Sequence, residues 1–259
     1  MSNTKEILSL SVEIGDVLLR SGGEIYRVED TILHILNAFG IHDYDVYVLS
    51  NGIFASANED REDACSIIRH VPLGDVHLGK IAAINQLSRE ICAHECDVQE
   101  AWVRLDACKN LPFQKPLIQK ICCGIGCACF CSIFGGKPLD AFFALLLGFF
   151  LQHMRLTQRA RGASNFFIDI IGSAFLTASS LILLNMRLPV LQDKIVIGSI
   201  VPLLPGIALT TSIRDLFNGD YLSGAIHLLD ALLTAMCIAI GVGTVMILYR
   251  NIPGGVPLP

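Results

Sequence analysis

The chain has 259 residues, a net charge of −5, 53% hydrophobic residues and a mean hydropathy of +0.56. These averages blend a charged first part, residues 1–116, with a near-continuous series of apolar runs over 117–250, so they fit one soluble domain plus a handful of membrane helices. No lysine or arginine block points to nucleic acid, and ten cysteines without a signal peptide do not suggest disulfides.

The N-terminus reads as no signal peptide, because Glu6, Glu13 and Asp16 interrupt its apolar residues. The soluble part is therefore expected in the cytoplasm. Residues 4–20 read as an amphipathic helix, with Ile7, Leu10, Ile14, Val17 and Leu18 at helical spacing. Ser21-Gly22-Gly23 breaks it. Ser21 stands three before Glu24, a capping-box pattern for a second helix running through Ala38, and Gly40 supplies its C-terminal cap. Tyr44, Val46 and Val48 then alternate, and Asn51-Gly52 signals a hairpin into residues 53–57. A third strand is predicted over 64–71, with two more helices over 75–94 and 98–109. The result is a small α+β domain with helices on one face of an antiparallel sheet. Cys92 and Cys96 share a helix face, but His94 points away from it, so no metal site is assigned. Ser21, Glu24, Tyr26, Arg27, Glu29 and Asp30 form a dense polar cluster. They serve either as a solvated helix end or as a regulatory or gating contact with the membrane part. No nucleophile elbow, phosphate loop or Cys/His pair supports catalysis, so the chain is expected not to be an enzyme, with no cofactor and no ATP coupling.

Five membrane spans follow, over 117–134, 139–154, 166–186, 195–213 and 221–249, before a short tail over 251–259. Each needs about 20 apolar residues, so the second is short and the fifth long. The cysteines between 122 and 131 read as small residues that let helices pack closely. Lys109, Lys115, Lys120, Arg155, Arg159, Arg161 and Arg214 fall on one side, and Lys137, Arg187, Lys194 and Arg250 on the other. Seven against four favours a cytoplasmic N-terminus, and an odd number of spans then puts the C-terminus outside. A five-span unit joined to a similar one would give an inverted repeat, so a partner polypeptide or a second copy is expected.

The fourth span is broken by Pro202 and by Pro205-Gly206, which remove helix donors and allow close approach. If the helix restarts after Gly206, its N-terminus suits a substrate carboxylate, and a simple proline kink is the alternative. Thr210 and Thr211 follow, binding substrate or their own backbone. Next come Arg214, Asp215, Asn218 and Asp220. Within the spans, His153 and Asn185 lie near ends, and Asp169 lies one turn inside. His227 and Asp230 share a face of the fifth span. A charge in lipid costs about 2.5–3.5 kcal/mol on insertion scales. That pair therefore serves either proton coupling or amine binding, or else a structural hydrogen bond between helices.

At these residues a family comes into view. VPLLPGIALTTSIRDLFNGDYLSGAIHLLDALL resembles the signature of the threonine/serine exporter family, and SGGEIYRVEDTI looks like that family's soluble-domain motif. Pro202, Pro205, Gly206, Arg214, Asp215, Asn218, Gly219 and Asp220 match the signature residue by residue. A soluble domain followed by five spans is similar to the family architecture over essentially the whole chain. Larger members continue with a second multi-span domain absent here, which makes the chain similar to the split, YjjP-like subgroup. There the second half is a smaller separate membrane protein. The resemblance implies export of a small carboxylate-bearing metabolite, either threonine and serine or a dicarboxylate such as succinate.

The expectation is a membrane α-helical protein of five transmembrane helices with an N-terminal cytoplasmic α+β domain. It would act as a secondary exporter subunit in a bacterial cytoplasmic membrane, beside a small multi-span partner or a second copy. The alternative is a membrane-anchored ligand sensor that conducts nothing.

Overall fold

The computed structural model describes residues 3–58, 64–72, 74 and 76–251. The chain divides into two compact units, Met1–Phe113 with Thr211–His227, and Gln114–Thr210 with Leu228–Pro259.

In the first unit, α1 (Asn3–Arg20) and α2 (Ile25–Ala38) lie on a three-stranded antiparallel sheet of order β1-β2-β3: Tyr44–Leu49, Gly52–Ala57 and Cys65–His70. Helices α3 (Leu78–Cys92) and α4 (Val98–Lys109) complete the core. The predicted apolar stripe of α1 is buried throughout, and Ile25, Val28, Ile32, Ile35 and Leu36 of α2 meet it. Period-two alternation puts Ile53, Ala55 and Ala57 into the core and leaves Tyr47, Phe54 and Ile68 exposed on the opposite sheet face.

Three local expectations are corrected. Ser21 does not cap α2: its hydroxyl donates to the Val17 carbonyl at 2.7 Å, and the N-cap Glu24 makes no side-chain cap bond. Ser21 instead sits at the end of α1. There Gly22, at φ 84°, and Gly23 donate to the carbonyls of Leu19 and Leu18, closing a Schellman turn that takes Ser21 out of reach of α2. The hairpin turn is Ser50-Asn51 rather than Asn51-Gly52, because Leu49 pairs with Gly52 and Gly52 is already a strand residue. Helix α3 begins at Leu78, where the His77 ring accepts from the Lys80 amide, and Asp75 lies outside the described residues.

The second unit contains α5 (Pro116–Ile133), α6 (Pro138–Ala160), α7 (Asn165–Asn185), α8 (Gln192–Ile200) and most of α10 (Tyr221–Arg250). Among the described residues, four helices are long and apolar enough to cross a membrane. A fifth span forms if Gln192–Leu203 and Gly206–Phe217 (α9), bent by 57°, count as one. Helix α6 is longer than its predicted span. It carries Arg155 and Arg159 inside its last turns, where long stems can bury along the helix while the charge stays at its end. Helix α10 has 30 residues, about 45 Å at 1.5 Å per residue, well beyond a hydrocarbon core of about 30 Å. Of the C-terminal tail only Asn251 is described.

Small residues set the packing of this unit. A Cβ on Gly198 of α8 would lie 2.7 Å from the Cys131 backbone of α5, and Cys127 and Cys131 are fully buried there. Cys122 and Cys129, a quarter-turn or more away, are exposed.

Candidate transport site

The apolar run of α8 enters a single 3-10 turn, Val201–Leu203, because Pro202 cannot continue an i→i−4 ladder. Leu204, just before Pro205, is extended at ψ 135°, the conformation the proline ring imposes on its predecessor. The helix restarts as α9 at Gly206. The restart puts the partial positive charge of a helix N-terminus beside the break. The Pro202 carbonyl, released by the break, accepts from Arg155 Nη1 at 3.0 Å. Sequence reasoning assigned Arg155 to a loop and missed this contact. The only available signal was its place directly after an apolar run.

Asp140 was missed altogether. It is fully buried, yet it accepts from the Lys137 amide at 2.8 Å and from the Leu191 amide at 2.9 Å. One carboxylate thus closes the N-terminus of α6 and pins the entry to α8. The sequence signal was the Lys137-Pro138 start with an acid three residues after Lys137.

Thr210 bonds its own helix, its hydroxyl reaching the carbonyls of Gly206 and Ile207 at 3.0 Å. Thr211 faces the other way: its hydroxyl lies 3.3 Å from His227 Nδ1. The same ring nitrogen is 3.7 Å from Asp215 Oδ2, and Asp215 is buried. Thr211, Asp215 and His227 therefore form one cluster joining the two arms of the α9–α10 hairpin. That hairpin turns at Asn218-Gly219-Asp220. Gly219 takes φ 88°, and the amides of Gly219 and Asp220 donate to the carbonyls of Leu216 and Asp215, a second Schellman closure. Asp230, one turn beyond His227, is exposed on the chain.

The same unit brings the two sequence motifs together. Arg214 of α9 forms an ion pair with Glu24 at the start of α2, across 190 residues of chain. Burial pushes the Glu29 carboxyl above its usual range. A main-chain hydrogen bond at Val48 opposes the shift, and the nearby Asp220 carboxylate adds to it. Ser21 and Arg27 do not join this meeting: Ser21 is spent on α1, and Arg27 is exposed. Elsewhere, Asp169 is buried in α7, His153 and Asn185 are exposed, and Pro202 and Pro205 are half-buried. No group of three or more His, Cys, Asp or Glu side chains suited to a metal occurs among the described residues.

Residues 9–249 match a family model described as "Putative threonine/serine exporter". The "Probable succinate transporter subunit YjjP" of Klebsiella aerogenes is 23% identical over 96% of this chain and 96% of its own length. The Escherichia coli protein of the same description is 22% identical, over 92% of this chain and 93% of its own. The "Threonine/serine exporter" of Corynebacterium glutamicum is 23% identical over 93% of this chain, which spans only 51% of that relative. No solved structure matches the chain.

Proposed function

Because the chain belongs to the threonine/serine exporter family, we propose that it is one subunit of a secondary exporter of small carboxylate-bearing metabolites, threonine and serine or a dicarboxylate such as succinate. It is a multi-pass membrane protein of a transporter family, and the reading assigns it no catalysis. The observation that carries the proposal is the 57° break between α8 and α9, in an otherwise membrane-competent pair of helices. Irregular backbone at membrane depth persists only where protein or a wet cavity satisfies it. Substrate carboxylate would dock at the start of α9, around Pro202, Pro205 and Gly206. Arg214, Asp215, Asn218 and Asp220 would form the cytoplasmic mouth. Thr211 with His227 and Asp230 would handle the proton or the substrate amine.

The coverage of the relatives supports reading the chain as one part of an assembly. One relative named a subunit is matched over 96% of its length, while an exporter is matched over 51% of its own. A separate small membrane protein or a second copy would work beside this chain, in a bacterial cytoplasmic membrane with this chain's N-terminus inside.

The test is uptake of labelled serine, threonine and succinate into inside-out vesicles containing the chain alone or with its candidate partner. Saturable uptake that needs the partner and is lost in Pro205→Ala is the expected result. Uptake unaffected by Pro205→Ala removes the break from the pathway. No uptake of any of the three, with both proteins confirmed in the membrane, favours the sensor reading.

A further inference from the structure

The first unit carries a charged cavity that the transport reading does not use. It has a volume of about 270 Å³ and lies between the second half of α1, β3, the start of α3 and the end of α4. Glu13, Asp16, Arg20, Arg69, Lys80 and Lys109 supply its charged lining. Each carboxylate is already engaged. Glu13 accepts from Arg69 Nη2 through one oxygen and from Lys109 Nζ through the other, both at 2.7 Å. Asp16 Oδ2 lies 2.8 Å from Arg20 Nε. Lys80 Nζ donates to the Lys109 main-chain carbonyl at 2.6 Å, a contact that leaves its charge unmatched.

Charge counting then decides the kind of ligand. Among the described lining residues four cations face two carboxylates, an excess of two positive charges in a chain whose net charge is −5. The imbalance is local and sits in a recess, where screening by solvent is weaker than on an open surface. One orphaned donor adds to it: Arg69 Nε is buried and has no hydrogen-bond partner among the described residues. A buried polar atom without a partner costs about 1–3 kcal/mol, so it marks a place where a ligand or water completes the site. The lining cations also come from separate elements, Arg20 from α1, Arg69 from β3, Lys80 from α3 and Lys109 from α4. Spread cations suit two separated anionic groups better than one compact one, and an arginine offers a carboxylate a planar, two-pronged donor.

We propose that this cavity binds a small dicarboxylate dianion, as a ligand site of the soluble unit distinct from the α8–α9 break. The inference does not rest on the transport reading, because it follows from the first unit alone.

Trp102, the single tryptophan of the chain, provides the readout: its ring centroid is 6.0 Å from Lys109 Nζ. A ligand that draws Lys109 away from the ring changes the tryptophan emission. The experiment titrates succinate, inorganic phosphate and serine into the purified full chain in detergent, following Trp102 emission and, in parallel, heat by calorimetry. Succinate is expected to saturate one site, with phosphate and serine at least about tenfold weaker. Arg69→Gln and Lys80→Gln should each weaken succinate by about tenfold or more while the unfolding temperature holds. A transport site in the membrane helices would instead bind equally in both variants, and that result overturns the proposal. So does the absence of any saturable response to succinate, or equal affinity for phosphate or serine. Should Arg69→Gln fail to fold through loss of its Glu13 pair, Lys80→Gln decides the matter. Should both fail, the comparison of the three ligands on the unaltered chain decides it.

Discussion

Helix α1 buries Ile7, Leu8, Leu10, Ile14 and Leu18 almost completely, whereas α10 leaves Leu229, Leu232, Met236, Ile240, Ile247 and Leu248 at 52–65% exposure. Both are rich in branched aliphatics, so composition does not separate them. The surrounding solvent does. Water drives the apolar face of α1 onto a sheet and three other helices. Lipid tails are as apolar as leucine and give α10 no such drive. The second unit therefore relies more on close approach, as at Gly198 against Cys131, beside a smaller buried cluster of Leu147, Leu151, Leu176, Ile195 and Leu203.

Two truncations would break that comparison most visibly. Ile32→Ala removes a fully buried side chain from the first unit and should cost about 2–5 kcal/mol of stability in chemical denaturation followed by Trp102 emission. Leu232→Ala removes a 53% exposed side chain from α10 and should stay within about 0.5 kcal/mol, read from the helical circular dichroism of the chain in lipid. A large loss at Leu232 would mean that this face of α10 packs on protein, and would locate the partner there.

The next effect tests the small-residue side of the contrast. Gly198→Ala places a Cβ 2.7 Å from the Cys131 backbone, which cannot swing aside as a side chain can. Overpacking of this kind costs about 1–3 kcal/mol, so the variant should unfold in detergent at a lower temperature than the parent. An unchanged melt would show that α5 and α8 can part without loss.

Gly219→Ala should cost about 1–2 kcal/mol, through backbone strain alone. Gly219 holds φ 88°, and a Cβ there meets nothing within 4 Å. Gly219→Asn, better suited to the left-handed region, should recover much of the loss in the same melt.

How much of this was legible depended on whether the governing interaction was local. The stripes of α1 and α2, the three strands and the apolar spans follow periodicity, which the sequence displays directly. The proline break was legible because the ring acts on its own neighbours. The turn at Ser21 was not, because the same residues fit a cap on α2 and a closure of α1, and only the left-handed Gly22 decides between them. The hairpin slipped by one residue for a similar reason: Asn51-Gly52 can form the turn, but the pairing of Gly52 with His70 of β3 draws Gly52 into the sheet. At the candidate site, Asp140 apart, the individual residues were visible and their partners were not. Arg214 with Glu24, Thr211 with His227, and Arg155 with the Pro202 carbonyl are contacts between segments up to 190 residues apart. No local pattern encodes them.

The smallest expected effect returns to the first unit, where an ionisable group borders both the apolar core and the charged cavity. Asp16 lies on α1 among the buried aliphatics, and its side chain is 7% exposed. Burial pushes its carboxyl above the usual value of 3.8. The hydrogen bond and charge of Arg20 oppose that shift, and Glu13 adds to it. With a folded pKa above the unfolded one, the folded chain holds more protons than the unfolded chain between the two values. Asp16 therefore contributes stability that is full below about pH 3.8 and is lost as pH rises through the folded pKa. Asp16→Asn keeps the shape and removes the titration. Followed by Trp102 emission, the unfolding temperature of Asp16→Asn minus that of the parent should become more positive from about pH 4 to about pH 7. If that difference stays flat, the Arg20 pair compensates burial fully and Asp16 is no more costly to the core than a neutral residue. If it falls, the folded chain favours the carboxylate, and the first unit would tolerate buried charge in a way its apolar packing gives no reason to expect.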